Sequence, residues 1–298
     1  MSILGIIASR NRPRTFFAAV GYDSADASLS TDGITWTTKT LPASRRWCGI
    51  TFGDKFVAVA GIDLATNGAA SSTDGSTWTA RTMPSSALWT ATAYGASIYV
   101  AVAQGPSTTG ASSTDGITWT ARTMPASADW MMVRFGNSIF LAAAYVGTAA
   151  ATSTDGITWT SRTIGVDKNW RGMTFGDGKF LLVGTSTNAA ISTTDGITWT
   201  NGTVSGSTTA NNIASAYGAG LFITANIGTT AASSSSDGVN WTARTLPSSS
   251  GWITATFADG KFVLLANATT SAATSTDGIT WTARTYSSAA GGYSVTYG

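Results

Sequence analysis

The sequence predicts an all-β fold: a seven-bladed β-propeller made of four-stranded antiparallel blades. A run close to Ser-Thr-Asp-Gly-Ile-Thr-Trp recurs along the 298 residues, and successive copies are 40 to 42 residues apart. A period of about 40 residues with strand-like content is typical of propeller blades. No long segment shows the periodicity of an amphipathic helix. The repeated tryptophans are Trp36, Trp78, Trp119, Trp159, Trp199, Trp241 and Trp281.

Each repeat divides into four predicted strands. In the second repeat these strands cover residues 47–53, 56–61, 69–73 and 77–82. Asp74-Gly75 joins the last two, and such pairs favour tight hairpins because Gly adopts positive φ without strain while Asp accepts local backbone N–H groups. The second strand is apolar on both faces, as expected for a strand packed between neighbouring blades.

The two ends of the chain predict how the ring closes. Residues 293–298 match a first strand only, whereas residues 16–21 match a second strand. The last blade should therefore take its inner strand from the C-terminus and three strands from the N-terminus, leaving no long unpaired edge. We assign residues 15–298 to the propeller. Residues 1–14 form an N-terminal peptide that either docks the propeller onto a larger assembly or is a frayed or locally packed terminus.

The composition argues against several classes of protein. Only 11% of the residues are charged and the net charge is +2, so no strong field would attract nucleic acid. There is no His, and all 15 acidic residues are Asp, which removes the usual general acid–base groups. Cys48 stands alone, so we expect a buried thiol, no disulfide, no metal centre and no cofactor. No segment reaches the length of about 20 apolar residues that membrane insertion needs.

The repeated motif resembles the Asp-box, or BNR repeat, of sialidase-like propellers. Ser113-Thr114-Asp115-Gly116-Ile117-Thr118-Trp119 carries this resemblance, although it is one residue shorter between Asp and Trp than the usual pattern. The resemblance implies a structural turn between the third and fourth strands, remote from any sialidase active site. We therefore interpret the repeated aspartates as turn residues: Asp32, Asp74, Asp115, Asp155, Asp195, Asp237 and Asp277.

A sialidase activity is not expected from this resemblance. Such an enzyme would need an arginine cluster, a Tyr nucleophile and a Glu partner, and this chain has no Glu. A glycosidase with two Asp residues is possible in principle, but no spacing nominates a pair. The sequence thus predicts that the chain is not an enzyme.

The opening residues carry a second resemblance. Met1-Ser2-Ile3-Leu4-Gly5-Ile6-Ile7-Ala8-Ser9 is similar to the first residues of many tailed-phage virion proteins. This resemblance implies a phage particle, exposed to the extracellular medium, with other virion proteins as partners.

Candidate ligand-binding residues come from the loops that vary between repeats. These loops join fourth to first strands and second to third strands, and propellers bind ligands at such a face. Five tryptophans that begin first strands could stack on a sugar at the channel mouth, or could instead fill space between blades. The candidates are Trp47, Trp89, Trp130, Trp170, Trp252, Arg45, Arg46, Asp129, Lys168, Asn169, Arg171 and Asn211.

The leading functional hypothesis is a non-catalytic phage virion propeller, in a tail fibre or otherwise associated with the tail. It would bind a host-surface glycan or receptor, and neither nucleic acid nor membrane. One alternative is a capsid or tail decoration protein that contacts only virion partners. A second alternative is a free-standing propeller lectin.

Overall fold

Antiparallel pairing of consecutive strands dominates the structure. The computed structural model describes residues 15–61, 68–185, 188–206 and 211–298. Within those residues the regular elements are 26 β-strands, and no helix has the length and apolar character that crossing a membrane requires. The predicted N-terminal peptide, residues 1–14, lies outside the described residues.

The described strands belong to six hydrogen-bonded sheets. The first contains β1 (Phe17–Val20), β2 (Ser24–Ser30), β3 (Thr37–Arg45) and β26 (Ser294–Tyr297), and the second contains β4 (Trp47–Phe52), β5 (Phe56–Ala60), β6 (Ala69–Ser72) and β7 (Thr79–Arg81). The third contains β8 (Leu88–Gly95), β9 (Ile98–Gln104), β10 (Ser107–Ser113) and β11 (Thr120–Ala128), and the fourth contains β12 (Trp130–Gly136), β13 (Ile139–Ala144), β14 (Ala149–Ser153) and β15 (Thr160–Thr163). The fifth contains β16 (Asn169–Gly176), β17 (Lys179–Thr185), β18 (Ala189–Thr193) and β19 (Thr200–Thr203). The sixth contains β20 (Asn212–Gly218), β21 (Leu221–Ser235), β22 (Thr242–Ala258), β23 (Lys261–Ala266), β24 (Ser271–Ser275) and β25 (Thr282–Thr285).

The predicted number of seven blades is wrong, because the described strands form six sheets. The sixth sheet takes up two sequence repeats: β21 is 15 residues long, β22 is 17, and β22 pairs with both β21 and β23. The pairs Ile227↔Gly251 and Thr229↔Ser250 keep these two strands continuous. In the third repeat, by contrast, β9 and β10 are interrupted at Gly105-Pro106, where Pro has no N–H to donate. The other five sheets have four strands each, as predicted.

The predicted closure between the chain ends is present. The first sheet has the order β26-β1-β2-β3, with Phe17 opposite Tyr297 and Val20 opposite Ser294. Phe16 N donates to Gly298 O at 2.6 Å, and Gly298 N donates to Phe16 O at 2.9 Å. The C-terminal strand therefore completes a sheet whose other three strands lie at the start of the described chain.

The innermost strand segments surround a central channel. Residues of β4, β8, β12, β16, β20, β26 and the second half of β22 line the cavities along it. The next strand outward is largely buried in each sheet, and Phe56–Ala60 is buried throughout, because it packs between neighbouring sheets on both faces. The core thus lies between the sheets, and the channel remains available for a site.

Candidate functional site

The repeated aspartates hold tight turns at one end of the propeller, which we call the turn face. In each of the seven turns the carboxylate accepts two backbone N–H groups; Asp115 Oδ1 accepts from Ile117 and Thr118, both at 2.8 Å. Ser113 Oγ donates to the same oxygen at 2.9 Å. The hydrogen bond from the Thr280 backbone is the largest cause that lowers the pKa of Asp277 to about 2. Backbone donors thus stabilise the ionised carboxylates as turn anchors, in agreement with the predicted turn role.

The five candidate tryptophans do not face the channel. Trp47 is 1% exposed, and Trp89, Trp130, Trp170 and Trp252 are completely buried. No ring face is left on which a sugar could stack, so the stacking interpretation is corrected in favour of packing between sheets. The reason is that successive strand residues point to opposite sides, and the residue after each Trp takes the channel position instead. Those residues are Cys48, Thr90, Met131, Arg171 and Ile253.

An upper cavity of about 530 Å³ opens at the end opposite the turn face, which we call the loop face. Ile213 and Tyr293 complete the ring of residues that follow the Trp position, and Tyr22, Arg46 and Gln104 come from the neighbouring loops and strand ends. A volume of this size falls within the range of ligand pockets. The predicted loop face therefore holds a cavity large enough for a ligand.

Two of the twelve predicted ligand-binding residues, Arg46 and Arg171, line the upper cavity. Lys168, Asn169 and Asn211 lie at the loop face outside it. The other predicted polar residues hold the scaffold or lie beside the cavity. Asp129 Oδ1 accepts the Gly105 N–H at 2.6 Å and so fixes a loop, and Arg45 ends the outer strand β3. The sequence thus selected two residues of this cavity lining and missed the others.

Arg46 is held by an aromatic stack at the mouth of the upper cavity. Its guanidinium carbon lies 4.0 Å from the centre of the Tyr22 ring, and the Tyr22 and Tyr293 rings are 4.6 Å apart. Arg46 Nε is also 3.4 Å from Asp23 Oδ1, although that donor makes no hydrogen bond. Burial raises the pKa of Tyr293 to about 12, so its hydroxyl stays neutral. The cation–π contact and the ion pair thus hold the Arg46 guanidinium in place, while its Nε–H remains without a hydrogen-bond acceptor.

Arg171 and Cys48 complete this rim. The Arg171 guanidinium carbon lies 5.2 Å from the centre of the Tyr145 ring. Burial raises the pKa of the Cys48 thiol to about 12, and its Sγ is 3.5 Å from the Arg46 carbonyl oxygen. The thiol is partly exposed rather than fully buried as predicted, but its protonated state makes it a poor nucleophile or metal ligand.

A lower cavity of about 320 Å³ lies beneath the upper one and is lined from the turn-face end of the inner strands. Ile50, Thr92, Arg134, Ser215 and Ala255 line both cavities, so the two spaces meet inside the channel. Arg134 is the charged residue at this junction. The sequence analysis did not select it, because it lies within a predicted strand and outside every variable loop.

An aromatic–glycine ring surrounds the lower end of the channel and was also missed. In each inner segment except one, an aromatic residue precedes a Gly, and the aromatic ring of the next segment packs over that Gly. Gly53, for example, lies under Tyr94. Gly298 lies under Phe52, so the same contact joins the C-terminal strand to β4. The recurring Phe-Gly or Tyr-Gly pair is a signal that the sequence contains. The aromatic residues are Phe52, Tyr94, Phe135, Phe175, Tyr217, Phe257 and Tyr297.

Comparison with known proteins finds solved structures of similar fold, but no curated protein of similar sequence. No family model and no curated protein matches the chain. A virginiamycin B lyase from Staphylococcus aureus has a TM-score of 0.71 at 11% identity, covering 92% of this chain and 89% of that chain. A streptogramin B lyase has a TM-score of 0.72 at 10% identity, covering 92% and 88%. YCF48 from Cyanidioschyzon merolae has a TM-score of 0.61 at 14% identity, covering 90% and 88%.

The prediction that the chain is not an enzyme is contradicted by these comparisons. Two of the similar structures are lyases, so propellers of this shape include catalysts. The missing His and Glu removed the usual general acid–base groups and a sialidase Glu, and that argument does not exclude reactions that use other groups. Identities of 10% to 14% show the fold alone, so no activity passes from these proteins to this one. What the comparisons show is that this chain is a β-propeller.

Proposed function

We propose that this chain is a propeller of a phage virion, in a tail fibre or otherwise associated with the tail, that binds a host-surface glycan at its loop face. The observation that carries the proposal is the upper cavity. It opens where the connecting loops differ between repeats, while the turn face repeats the same Asp turn. Binding sites on rigid scaffolds concentrate in such loops.

The chemistry of the upper cavity suits a polar ligand with some apolar surface. Gln104 and Ser294 supply neutral hydrogen-bonding groups, and Arg46 and Arg171 supply charged donors. Met131 adds an adaptable apolar wall. A glycan presents hydroxyl groups beside apolar ring faces, so this mixture can match it without a stacking tryptophan.

The phage source rests on sequence resemblance. Residues 1–9 are similar to the start of tailed-phage virion proteins, and the turn motif resembles the Asp-box of sialidase-like propellers. Two of the similar structures are described with ligands: an inactive histidine-to-alanine virginiamycin B lyase with quinupristin, and YCF48 with a D1 peptide. Those ligands belong to those proteins, and they support only the use of a propeller for binding.

A structural decoration protein is the second candidate, and the turn face favours it. Apolar residues follow the Asp-Gly pairs there and are exposed to solvent. Such a repeated apolar set would suit contact with another virion protein. The most exposed are Ile117 at 39%, Ile157 at 43%, Ile197 at 56% and Ile279 at 43%.

The two candidates are separated by binding of the labelled protein to intact host bacteria, with free surface polysaccharide as competitor. The glycan proposal expects saturable binding that the polysaccharide abolishes. Arg171→Thr, which places at this position the residue type that Thr90 supplies in the third sheet, should weaken binding at least about tenfold. Lys39→Thr removes one charge from an outer strand and should bind like the parent.

No binding to any host by a well-folded sample would overturn the glycan proposal and favour the decoration candidate. Saturable glycan binding would favour a free-standing lectin if the genes next to the gene for this chain encode no virion proteins. Mass spectrometry of the recovered polysaccharide tests in the same experiment whether the ligand is cleaved.

A further inference from the structure

We infer that the central channel holds an oxyanion site centred on Arg134, at the junction of the upper and lower cavities. The ligand is a carboxylate, sulfate or phosphate group that enters from the loop face. Arg134 also lines the upper cavity proposed for the glycan, but the inference concerns the charge inside the channel and does not depend on the source of the protein.

The position of Arg134 sets it apart from its equivalents. It directly precedes Phe135, and the residue before each aromatic of the ring faces the lower cavity. At the six other places this residue is small: Thr51, Ala93, Thr174, Ala216, Thr256 or Thr296. One long cationic side chain therefore enters a channel that is otherwise lined by short side chains at this level.

Arg134 has few partners among the described residues. The one hydrogen bond that it makes to them runs from Nη1 to the Val133 carbonyl oxygen at 3.0 Å. Desolvation by the surrounding protein lowers the pKa of the guanidinium, and no charged neighbour among the described residues contributes to that shift. The residue is in contact with channel space and still carries its charge, since an arginine is not deprotonated in proteins. Most of its five donors are therefore free to bind a ligand.

The charge around the channel favours an anion. Among the described residues that line the two cavities, three are arginines and none is acidic. The positive charge of Arg46 is partly balanced by Asp23 on the rim. Arg171 and Arg134 form no ion pair with the described residues. A cavity with low-dielectric walls concentrates this positive potential. An anion would thus replace the missing carboxylate partner of a cation that the fold holds in the channel.

The geometry also limits the ligand. The planar guanidinium forms two parallel hydrogen bonds with a carboxylate, sulfate or phosphate group. The upper cavity of about 530 Å³ lies above it, with Met131, Met132 and Met173 in its wall. A ligand with a terminal oxyanion and a small apolar or mixed body would place its charge at Arg134 and its body against these methionines.

Methionine methyl resonances give a local test. The protein is labelled with ¹³C at the methionine methyl groups and titrated separately with sodium sulfate, sodium phosphate and sodium acetate, with chloride keeping the ionic strength constant. We expect saturable shifts at Met131, Met132 and Met173. Met83 and Met124, which are buried outside the two cavities, serve as references. The anion that binds best distinguishes a sulfate or phosphate site from a carboxylate site.

Arg134→Thr is the decisive variant, because Thr is the residue type at four of the six equivalent positions. It should fold and lose at least about tenfold in anion affinity, as expected for a lost charge-assisted hydrogen bond. Lys39→Thr carries the same change in net charge on an outer strand and should retain the parental affinity. If Arg134→Thr fails to fold, Arg134→Lys keeps the charge but loses the planar fork, and should bind the same anions more weakly.

Two results would overturn the inference. One is the absence of saturable shifts at the cavity methionines with all three anions. The other is an unchanged affinity in folded Arg134→Thr, which would place the bound anion away from Arg134.

Discussion

Gly53 lies so close to Tyr94 that a Cβ atom added to Gly53 would sit 2.5 Å from Cδ2 of the Tyr94 ring. The two residues belong to neighbouring inner strands, and Tyr94 also packs against Tyr99 with ring centres 4.6 Å apart. The glycine is therefore required by close packing rather than by its backbone angle, since it is not among the positive-φ residues. This relationship recurs around the lower channel and ties one sheet to the next.

Gly53→Ala should destabilise the propeller by about 1–3 kcal/mol, the usual cost of overpacking a filled site. The added methyl group must displace Tyr94, which is held by Tyr99. Urea unfolding followed by tryptophan fluorescence measures the free energy of unfolding. Gly165→Ala is the matched control, because a Cβ there meets nothing within 4 Å and its φ is not positive. Equal stability of the two variants would contradict the packing role.

Removing residues 294–298 should lower the free energy of unfolding by at least about 3 kcal/mol, a loss comparable to that of a large core side chain. The deletion removes β26, its ladder with β1 and the Tyr297 ring, which lies 4.8 Å from the Phe17 ring. It also exposes the edge of β1. Calorimetry should show a lower unfolding temperature.

A peptide of residues 291–298 added in excess is the control for the truncated protein. It should restore part of the lost stability, because it can pair with β1 in the native register. A truncated protein as stable as the full chain would show that ring closure by β26 contributes little.

Acid should unfold the protein partly through the turn carboxylates. Backbone hydrogen bonding lowers the pKa of Asp277 from its ordinary value of 3.8 to about 2. A depressed folded-state pKa means that the stabilisation is complete above about pH 4 and is lost as the pH falls toward 2. The free energy of unfolding should therefore fall over this window.

Asp277→Asn should show a smaller loss of stability across the same pH window, because its amide does not titrate. Its stability at neutral pH should be lower than that of the parent, since a neutral acceptor binds the backbone N–H groups of Ile279 and Thr280 less strongly. Identical pH slopes for the two proteins would remove Asp277 from the explanation of acid sensitivity.

Cys48 should react slowly with iodoacetamide at pH 8 in the folded protein. Burial raises the pKa of its thiol to about 12, so the reactive thiolate is scarce although the side chain lines the upper cavity. The same protein unfolded in guanidinium should react at the rate of an ordinary thiol. Equal rates in both states, measured by mass spectrometry, would show that the site does not suppress ionisation.

Features that depend on residues close together in sequence, or on counting strands, could be predicted from the sequence. The Asp115 turn needs only a carboxylate, a Gly with positive φ at the next position and the backbone that follows, so its motif identified it. The match of residues 293–298 and 16–21 to complementary strands gave the closure of the first sheet. Both follow from local hydrogen bonding and from counting strands.

The tertiary structure decided what depends on neighbours distant in sequence. Only strand pairing showed that Ile227 and Gly251 join two repeats into one sheet, which reduced the blades from seven to six. Only packing between sheets placed Trp130 inside the core and turned Met131 to the channel. Arg134 was indistinguishable from an exposed strand arginine until the ring of inner strands enclosed it. A repeat sequence thus determines the turns and strands of this protein by local chemistry, whereas the direction of each side chain relative to the channel is set when the sheets pack around it.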